Sequence, residues 1–336
     1  MPLKPVLLAA ALLVPLAASA QESFAPKVLV ITMFDGETEP WRDNLDLTRR
    51  IDVPGLPESA PELLCDDDLC VMTTTMGFAN AASSVAAVAL SDVVDLSESY
   101  ILIAGIAGVD PEQGTLGSAH WARWVVDGGL RHLIDPREIP ADWSTGSLTL
   151  GTTEPGGEGG WSAGSEVYEL NADLVERALE LTQEVELADS DRAAEYRASY
   201  DAEAARRAPF VSACDTVSSD TYWHGRIVAE AMEDRTERLT DGAATYCTTQ
   251  MEDNATLTAL SRAAEAGAVN FDRIAVLRTG SNFDRQPEGG SAAASLAADS
   301  GGFGPATENA FRVANALAQE IIRNWDDWKG GVPTEP

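Results

Sequence analysis

Short apolar segments rich in β-branched residues, separated by helical patterns, constrain the fold of this chain more than any other feature. "KVLVITMF" at 27–34 and "YILIAGIAG" at 100–108 are typical of strands buried on both faces. Three more segments resemble them: "CVMTTTMG", "SAHWARWVVDGG" and "DRIAVLRTGS". Apolar residues at helical spacing indicate helices at roughly 78–92, 171–186, 189–207, 222–238, 252–267 and 306–325. Apolar strands that alternate with helices predict an α/β fold, with a sheet covered on both faces.

The first twenty residues have a different character. Lys4 precedes the apolar run "PVLLAAALLVPLAASA", which ends in small residues. This pattern predicts a secretory signal at 1–20, cut after Ala20, with an uncleaved anchor as the alternative. No later stretch approaches the roughly 18 consecutive apolar residues of a membrane span. We therefore expect one domain at 21–336, with no membrane span after signal removal, located in the periplasm or secreted.

The cysteines and the charge agree with export. An even number of cysteines in an oxidising compartment favours disulfides, and of the three pairings we favour Cys65–Cys70 and Cys214–Cys247. The formal net charge of −31 disfavours nucleic acid and anionic membranes as partners. The three histidines show no metal-ligand spacing, so the sequence implies no metal.

The stretch "TTQMEDNATLTAL" at 248–260 has two interpretations. Thr249 and Glu252 have the spacing of a capping box, in which each side chain satisfies a backbone N–H at a helix start. In the other interpretation Glu252 holds a ligand, because a carboxylate is stabilised at a helix N-terminus. The stretch alone favours the capping box.

Several segments that end strands are distinctive when they are taken together and in order. They are "TMFDGETEPW", "TTMGFANAA", "AGIAGVDPEQGTLG", "VSSDTYW", "TTQMEDNAT" and "LRTGSNFDR". This series resembles the nucleoside phosphorylase and nucleosidase superfamily over about residues 27–325. The longer phrases "IAGIAGVDPEQGTLGSAHWARWVVD" and "YCTTQMEDNATLTAL" resemble the purine nucleoside permease family. The resemblance implies a three-layer α/β/α fold with a mixed central sheet, similar to nucleoside phosphorylases and hydrolases.

The resemblance also implies roles for individual residues. Glu252 would hold the ribose hydroxyls, which shifts the balance towards the ligand-holding interpretation. Glu37 would activate water, although a solvated loop acid is an equal alternative. Tyr222 would stack on the base, or else pack in the core. The segments around Met251, Gly105, Ala107 and Gly108 would complete the substrate site.

Two positions depart from the superfamily pattern. Phosphorolytic members place a Ser or Thr at the turn where this chain has Ile103 and Ile106, and neither isoleucine can bind a phosphate oxygen. Some hydrolytic members also use that Ser to hold their water, so Ile106 weakens hydrolysis as well. Asn282 stands where a proton-donating aspartate is usual, and an amide can donate only a hydrogen bond. Asp284 is a candidate substitute for the missing acid.

These observations predict an exported purine nucleoside N-glycosidase that prefers inosine and guanosine and needs no cofactor. The alternative is a nucleoside-capture protein that has kept the pocket but lost the chemistry, and phosphorolysis is a weaker third hypothesis. Homo-oligomerisation and a transporter partner stay open.

Overall fold

The computed structural model describes residues 23–333. Its strands are β1 Val28–Thr32, β2 Arg49–Asp52, β3 Glu62–Cys65, β4 Leu69–Thr73, β5 Tyr100–Val109, β6 Ala119–Ala122, β7 Trp124–Asp127, β8 His132–Leu133, β9 Ser147–Leu148, β10 Val167–Glu169, β11 Val211–Ala213, β12 Asp215–Ser218, β13 Tyr246–Gln250 and β14 Ile274–Phe283. Its α-helices are α1 Asp35–Asn44, α2 Phe78–Ala89, α3 Ala172–Thr182, α4 Asp191–Arg197, α5 Glu203–Arg206, α6 Arg226–Leu239, α7 Asp253–Glu265, α8 Ala292–Leu296, α9 Phe303–Arg323 and α10 Trp325–Trp328. A 3₁₀ turn covers Phe271–Arg273.

Twelve of the described strands form one mixed sheet in the order β10-β7-β12-β13-β5-β1-β4-β3-β2, with β14, β6 and β11 branching from β5. At its centre β1 runs parallel to β4 and β5, and β14 runs parallel to β5 along nearly its whole length. Near Gly108, β13 joins β5 in the antiparallel direction. The long strand β5 therefore brings together segments that are far apart in the sequence.

Alternate side chains of the central strands pack against helices on opposite faces of the sheet. Leu29 and Ile31 join a core with apolar residues of α2 and α7. Val28 and Val30 point the other way, into a core with α1, α3, α9 and α10. Each fully buried aliphatic side chain of this kind contributes about 1.5–3 kcal/mol. The predicted three-layer arrangement with a mixed sheet is confirmed.

Two predicted helices differ from those observed. The helix expected at 189–207 is interrupted, because Tyr200 lies between α4 and α5 and donates a hydrogen bond from its hydroxyl to the Arg285 carbonyl at 2.8 Å. The helix expected from residue 222 begins only at Arg226, after Gly225 adopts a φ of 129°. Tyr222 therefore lies on a loop.

Both favoured disulfides, Cys65–Cys70 and Cys214–Cys247, are present. No helix within residues 23–333 is long and apolar enough to cross a membrane. The predicted signal at 1–20 lies outside the described residues, and the single domain at 21–336 stays a prediction.

Candidate functional site

A cleft opens where β1, β12 and β13 end, beside the second halves of β5 and β14. It encloses about 660 Å³, including its open mouth. Its wall combines apolar and aromatic side chains with a few polar and charged groups, which is the lining typical of small-molecule sites. It is lined by seven of the nine residues predicted for the site: Glu37, Ala107, Gly108, Tyr222, Met251, Glu252 and Asn282.

Glu37 is a buried carboxylate on the first turn of α1. Its Oε2 accepts a hydrogen bond from the Met33 N–H, and its Oε1 accepts one from the Ile106 N–H, both at 2.7 Å. Burial raises the pKa of Glu37 to about 7, against the opposing effect of the nearby Arg278 charge. A carboxyl group with a pKa near the ambient pH can both take up and release a proton, as a general base must.

Arg278, on β14, is a fully buried cation surrounded by carboxylates. It donates from both Nε and Nη2 to the Asp253 carboxylate, with Nε to Oδ2 at 3.1 Å. Its Nη2 also lies 3.6 Å from Glu252 Oε2, and its Nη1 donates to the Ile106 carbonyl at 3.1 Å. Glu37 also interacts electrostatically with the Arg278 guanidinium. This one cation is therefore shared by three carboxyl groups, those of Asp253, Glu252 and Glu37. When all three are ionised, this end of the cleft carries excess negative charge.

Glu252 faces the cleft from the residue that precedes α7. Its Oε1 accepts a hydrogen bond from the Gly77 N–H at 3.2 Å, and its Oε2 accepts one from the Met251 N–H at 3.1 Å. Burial raises the pKa of Glu252, while Arg278 lowers it. Each carboxylate oxygen has a second lone pair, so the group retains capacity to accept ligand hydroxyls.

The capping-box interpretation of Thr249 and Glu252 is wrong. Helix α7 begins at Asp253, and no side chain of the residue before it caps the helix. The Gln250 Oε1 instead accepts hydrogen bonds from the backbone N–H groups of Glu252, at 2.8 Å, and Asp253, at 3.0 Å. Because Gln250 satisfies these donors, the Glu252 side chain does not cap the helix and is oriented towards the cleft.

An amide and a phenol lie on other parts of the wall. The Asn282 Oδ1 accepts a hydrogen bond from the Ser281 hydroxyl at 3.0 Å, and its Nδ2 donates to the Phe283 carbonyl at 2.9 Å. Tyr222 projects from the loop before α6 and is 51% exposed. Such a side chain is free to cover a planar ligand.

Gly105 does not line the cleft but lies beneath it. A Cβ at this position would overlap the Met33 side chain and come within 2.5 Å of Glu37 Oε1. The absence of a side chain here is what allows Glu37 and Arg278 to approach the strand.

Asp284 lies next to the site at Gly108 but does not line the cleft. Its carboxylate is fully buried and accepts hydrogen bonds from the Tyr246 hydroxyl at 2.6 Å and from Arg285 Nε at 2.8 Å. Arg285 also pairs with Asp110 and Glu233. This separate ion cluster engages the carboxylate, so we give Asp284 no role in the chemistry.

The family model for purine nucleoside permease (NUP) matches residues 25–333. The chain belongs to the purine nucleoside permease family. A Schizosaccharomyces pombe protein named as a probable purine nucleoside permease is 38% identical over 319 residues, which cover 91% of each chain. A purine nucleoside permease of Candida albicans is 36% identical over 310 residues, covering 90% of this chain and 76% of the relative.

Solved structures share the fold of this permease-family chain at low sequence identity. A futalosine hydrolase of Helicobacter pylori has a TM-score of 0.52 at 14% identity, over 88% of this chain and 98% of that one. A 5′-methylthioadenosine/S-adenosylhomocysteine nucleosidase of Streptococcus pneumoniae gives the same TM-score and identity, over 88% and 99%. The predicted likeness to the phosphorylase and nucleosidase fold is confirmed.

Sequence reasoning missed two residues of this permease-family site, Arg278 and Gln250. Arg278 could have been identified from the sequence, because a charged residue inside a strand predicted to be buried needs an oppositely charged partner. Gln250 had none, since a glutamine before a helix shows no spacing that marks it as a cap.

Proposed function

We propose that the cleft binds a purine nucleoside and that the protein hydrolyses its N-glycosidic bond to free base and ribose. The observation that carries the proposal is the position of Glu37. This buried carboxyl group, with a pKa near 7, lines a cleft together with a second carboxylate, Glu252.

Glu37 acts in this proposal as the base that activates water. It takes a proton from a water molecule while the water oxygen bonds to C1′ of the sugar. The electron pair of the C1′–N bond leaves with the purine, which takes up a proton from solvent. Arg278 supports Glu37 because it favours the ionised form that the step requires.

The charge of the site suits the transition state of this reaction. Glycoside hydrolysis passes through an oxocarbenium-like sugar that carries positive charge. Glu37, Glu252 and Asp253 outnumber the single cation Arg278, so the sugar end offers net negative charge. Charge held in place before the reaction stabilises the transition state without reorganisation. Glu252 would also fix the ribose hydroxyls, which orients the sugar for attack.

The base end of the proposed complex is formed by Asn282 and Tyr222. Asn282 Nδ2 has one N–H beyond its bond to the Phe283 carbonyl, and this N–H can donate to N7 or O6 of a 6-oxopurine, both of which are acceptors. We therefore propose inosine and guanosine as the preferred substrates. Tyr222, and with it the backbone of Ala107, Gly108 and Met251, would enclose the ring.

Phosphorolysis has little support from the geometry. The Ile106 side chain lies on the cleft wall at the position where phosphorolytic members carry a Ser or Thr. Arg278 is the one cation on the cleft wall within residues 23–333, and it is paired with Asp253. A phosphate ion would therefore lose its hydration without gaining a free cation.

The assay compares base release with and without phosphate. Purified mature protein is incubated with inosine, guanosine or adenosine, and free base is measured by chromatography. We expect release without phosphate, and loss of release in Glu37→Gln with binding retained. The matched control is Glu39→Gln, an exposed acid on the same helix, which should keep wild-type rates. Release that depends on phosphate would overturn the hydrolytic proposal.

The second candidate is capture of nucleosides without chemistry. Two observations favour it: Asn282 cannot supply a proton to the leaving base, and the relatives carry the name permease. Its signature is a rise in melting temperature with inosine and no free base. In that case export, which residues 1–20 suggest, and a transporter partner, which the family name suggests, become the features to test next. A homo-oligomer stays open.

A further inference from the structure

A second cavity lies beside α6, under the long excursion between β7 and β10. It encloses about 890 Å³, including its mouth. Its wall is largely apolar, with Leu130, Leu150, Val167 and Leu239, and the half-exposed Trp161. None of these residues belongs to the nucleoside cleft.

The charge at this cavity is unusual for the protein. Five arginines in the described region are at least nine-tenths buried, and four of them pair with a carboxylate: Arg197, Arg273, Arg278 and Arg285. The fifth, Arg235, lines the cavity and pairs with none of the described carboxylates, although the chain carries 54 acidic residues. A buried cation without an anionic partner is costly.

The hydrogen bonds of Arg235 leave it able to bind a ligand. Its Nε donates to the Asp127 carbonyl at 2.7 Å, and its Nη2 donates to the Leu130 carbonyl at 2.8 Å. A guanidinium has five N–H groups, so three remain without a partner within residues 23–333. Burial lowers the pKa of Arg235 and the neighbouring charge of Arg131 lowers it further, while the carboxylates of Asp127 and Glu166, which lie beyond salt-bridge distance, raise it. An anion in the cavity would relieve both effects.

One acid, Glu166, also lines the cavity, but its oxygens are already engaged. They accept hydrogen bonds from the Ser162 hydroxyl at 2.6 Å and from the backbone N–H groups of Ala163, Gly164 and Ser165 at 2.6–3.1 Å. Burial raises the pKa of Glu166, but these donors more than offset that effect, so the pKa is lowered and the carboxylate stays ionised. Glu166 forms no salt bridge with Arg235 and acts on it only from a longer distance.

We propose that this cavity is a second binding site, for a small organic anion that joins one carboxylate or similar oxyanion to an apolar body. The oxyanion binds the free N–H groups of Arg235, and the apolar body packs against the leucines and Trp161. Because the cavity shares no lining residue with the nucleoside cleft, this site is independent of the proposed hydrolysis.

The test uses hexanoate as the anionic probe and hexanamide as its neutral counterpart, with melting temperature and calorimetric titration of the full mature chain as readouts. Hexanoate should raise the melting temperature in a saturable manner, and hexanamide should not. Arg235→Gln should weaken hexanoate binding at least tenfold and leave the response to inosine unchanged. Arg238→Gln, on the same helix, is the matched control, because Arg238 is exposed and already paired with Asp234.

Trp161→Ala is the second variant, because this exposed side chain can be removed without a folding defect if Arg235→Gln fails to fold. It should weaken hexanoate binding several-fold. The proposal is overturned if hexanoate leaves the melting temperature unchanged, if hexanamide raises it equally, or if both variants bind hexanoate as the wild type does.

Discussion

Replacing Glu37 with glutamine should change how stability depends on pH. The fold raises the pKa of Glu37 from 4.5 to about 7. A raised carboxyl pKa means that the folded state binds its proton more tightly than the unfolded state does. The folded protein therefore loses stability as pH rises, starting near pH 4.5 and reaching the full loss above pH 7.

The size of the effect follows from the two pKa values. One pKa unit corresponds to about 1.4 kcal/mol, so the cost of Glu37 is about 0.8 kcal/mol at pH 5 and about 3.3 kcal/mol at pH 8. Wild-type protein should thus lose about 2.5 kcal/mol from this group between these two pH values. Glutamine does not ionise and escapes this loss. It also leaves one N–H, of Met33 or Ile106, without an acceptor, but that cost does not vary with pH.

The assay is urea unfolding of the wild type and of Glu37→Gln at pH 5 and pH 8. Effects of buried acids that do not interact with Glu37 cancel in the comparison, and Glu39→Gln serves as the control because Glu39 is exposed. We expect the variant to gain about 2.5 kcal/mol relative to the wild type between the two pH values. Equal pH dependence of the two proteins would refute the account of a buried carboxyl group.

Three further substitutions test other parts of the site. Arg278→Gln should lower the free energy of unfolding by about 3–5 kcal/mol, because it leaves Asp253 buried without its cation; a loss below about 1 kcal/mol in urea unfolding would contradict the pairing. Gly105→Ala should reduce both nucleoside affinity and melting temperature, since the added Cβ displaces Glu37; wild-type affinity in titration calorimetry would exclude this crowding. Tyr222→Ala should raise the nucleoside Kd about tenfold, as expected for loss of base stacking, with stability changed by less than about 0.5 kcal/mol, whereas Tyr222→Phe should retain affinity.

The central strands were predictable because burial leaves a direct record in composition. β1 and β5 lie between two helical layers, so nearly every residue in them is apolar. β12 and β13 were missed because "DTVS" and "YCTTQ" contain no apolar run. Their polar residues are buried through hydrogen bonds such as that between Ser218 and Asn254, and a tertiary bond of this kind has no local signal.

The candidate site was predictable to the extent that it follows strand ends. Glu37 and Asn282 were identified because the segments that carry them resemble a known superfamily, and these segments end buried strands, where ligands of α/β proteins gather. The position of Asp284 was not predictable, because only the fold places Arg285 and Tyr246 against its carboxylate. The orientation of Glu252 towards the cleft was not predictable for a similar reason, because it depends on Gln250 capping α7 in its place.

The pH dependence of base release from inosine, measured in phosphate-free buffer between pH 5 and pH 9, tests the central claim most directly. A base must be ionised to accept a proton, so kcat/KM should rise through about pH 7, where Glu37 titrates, and then level off. Release that does not vary with pH, or that persists at wild-type rates in Glu37→Gln, would contradict the claim that Glu37 activates water.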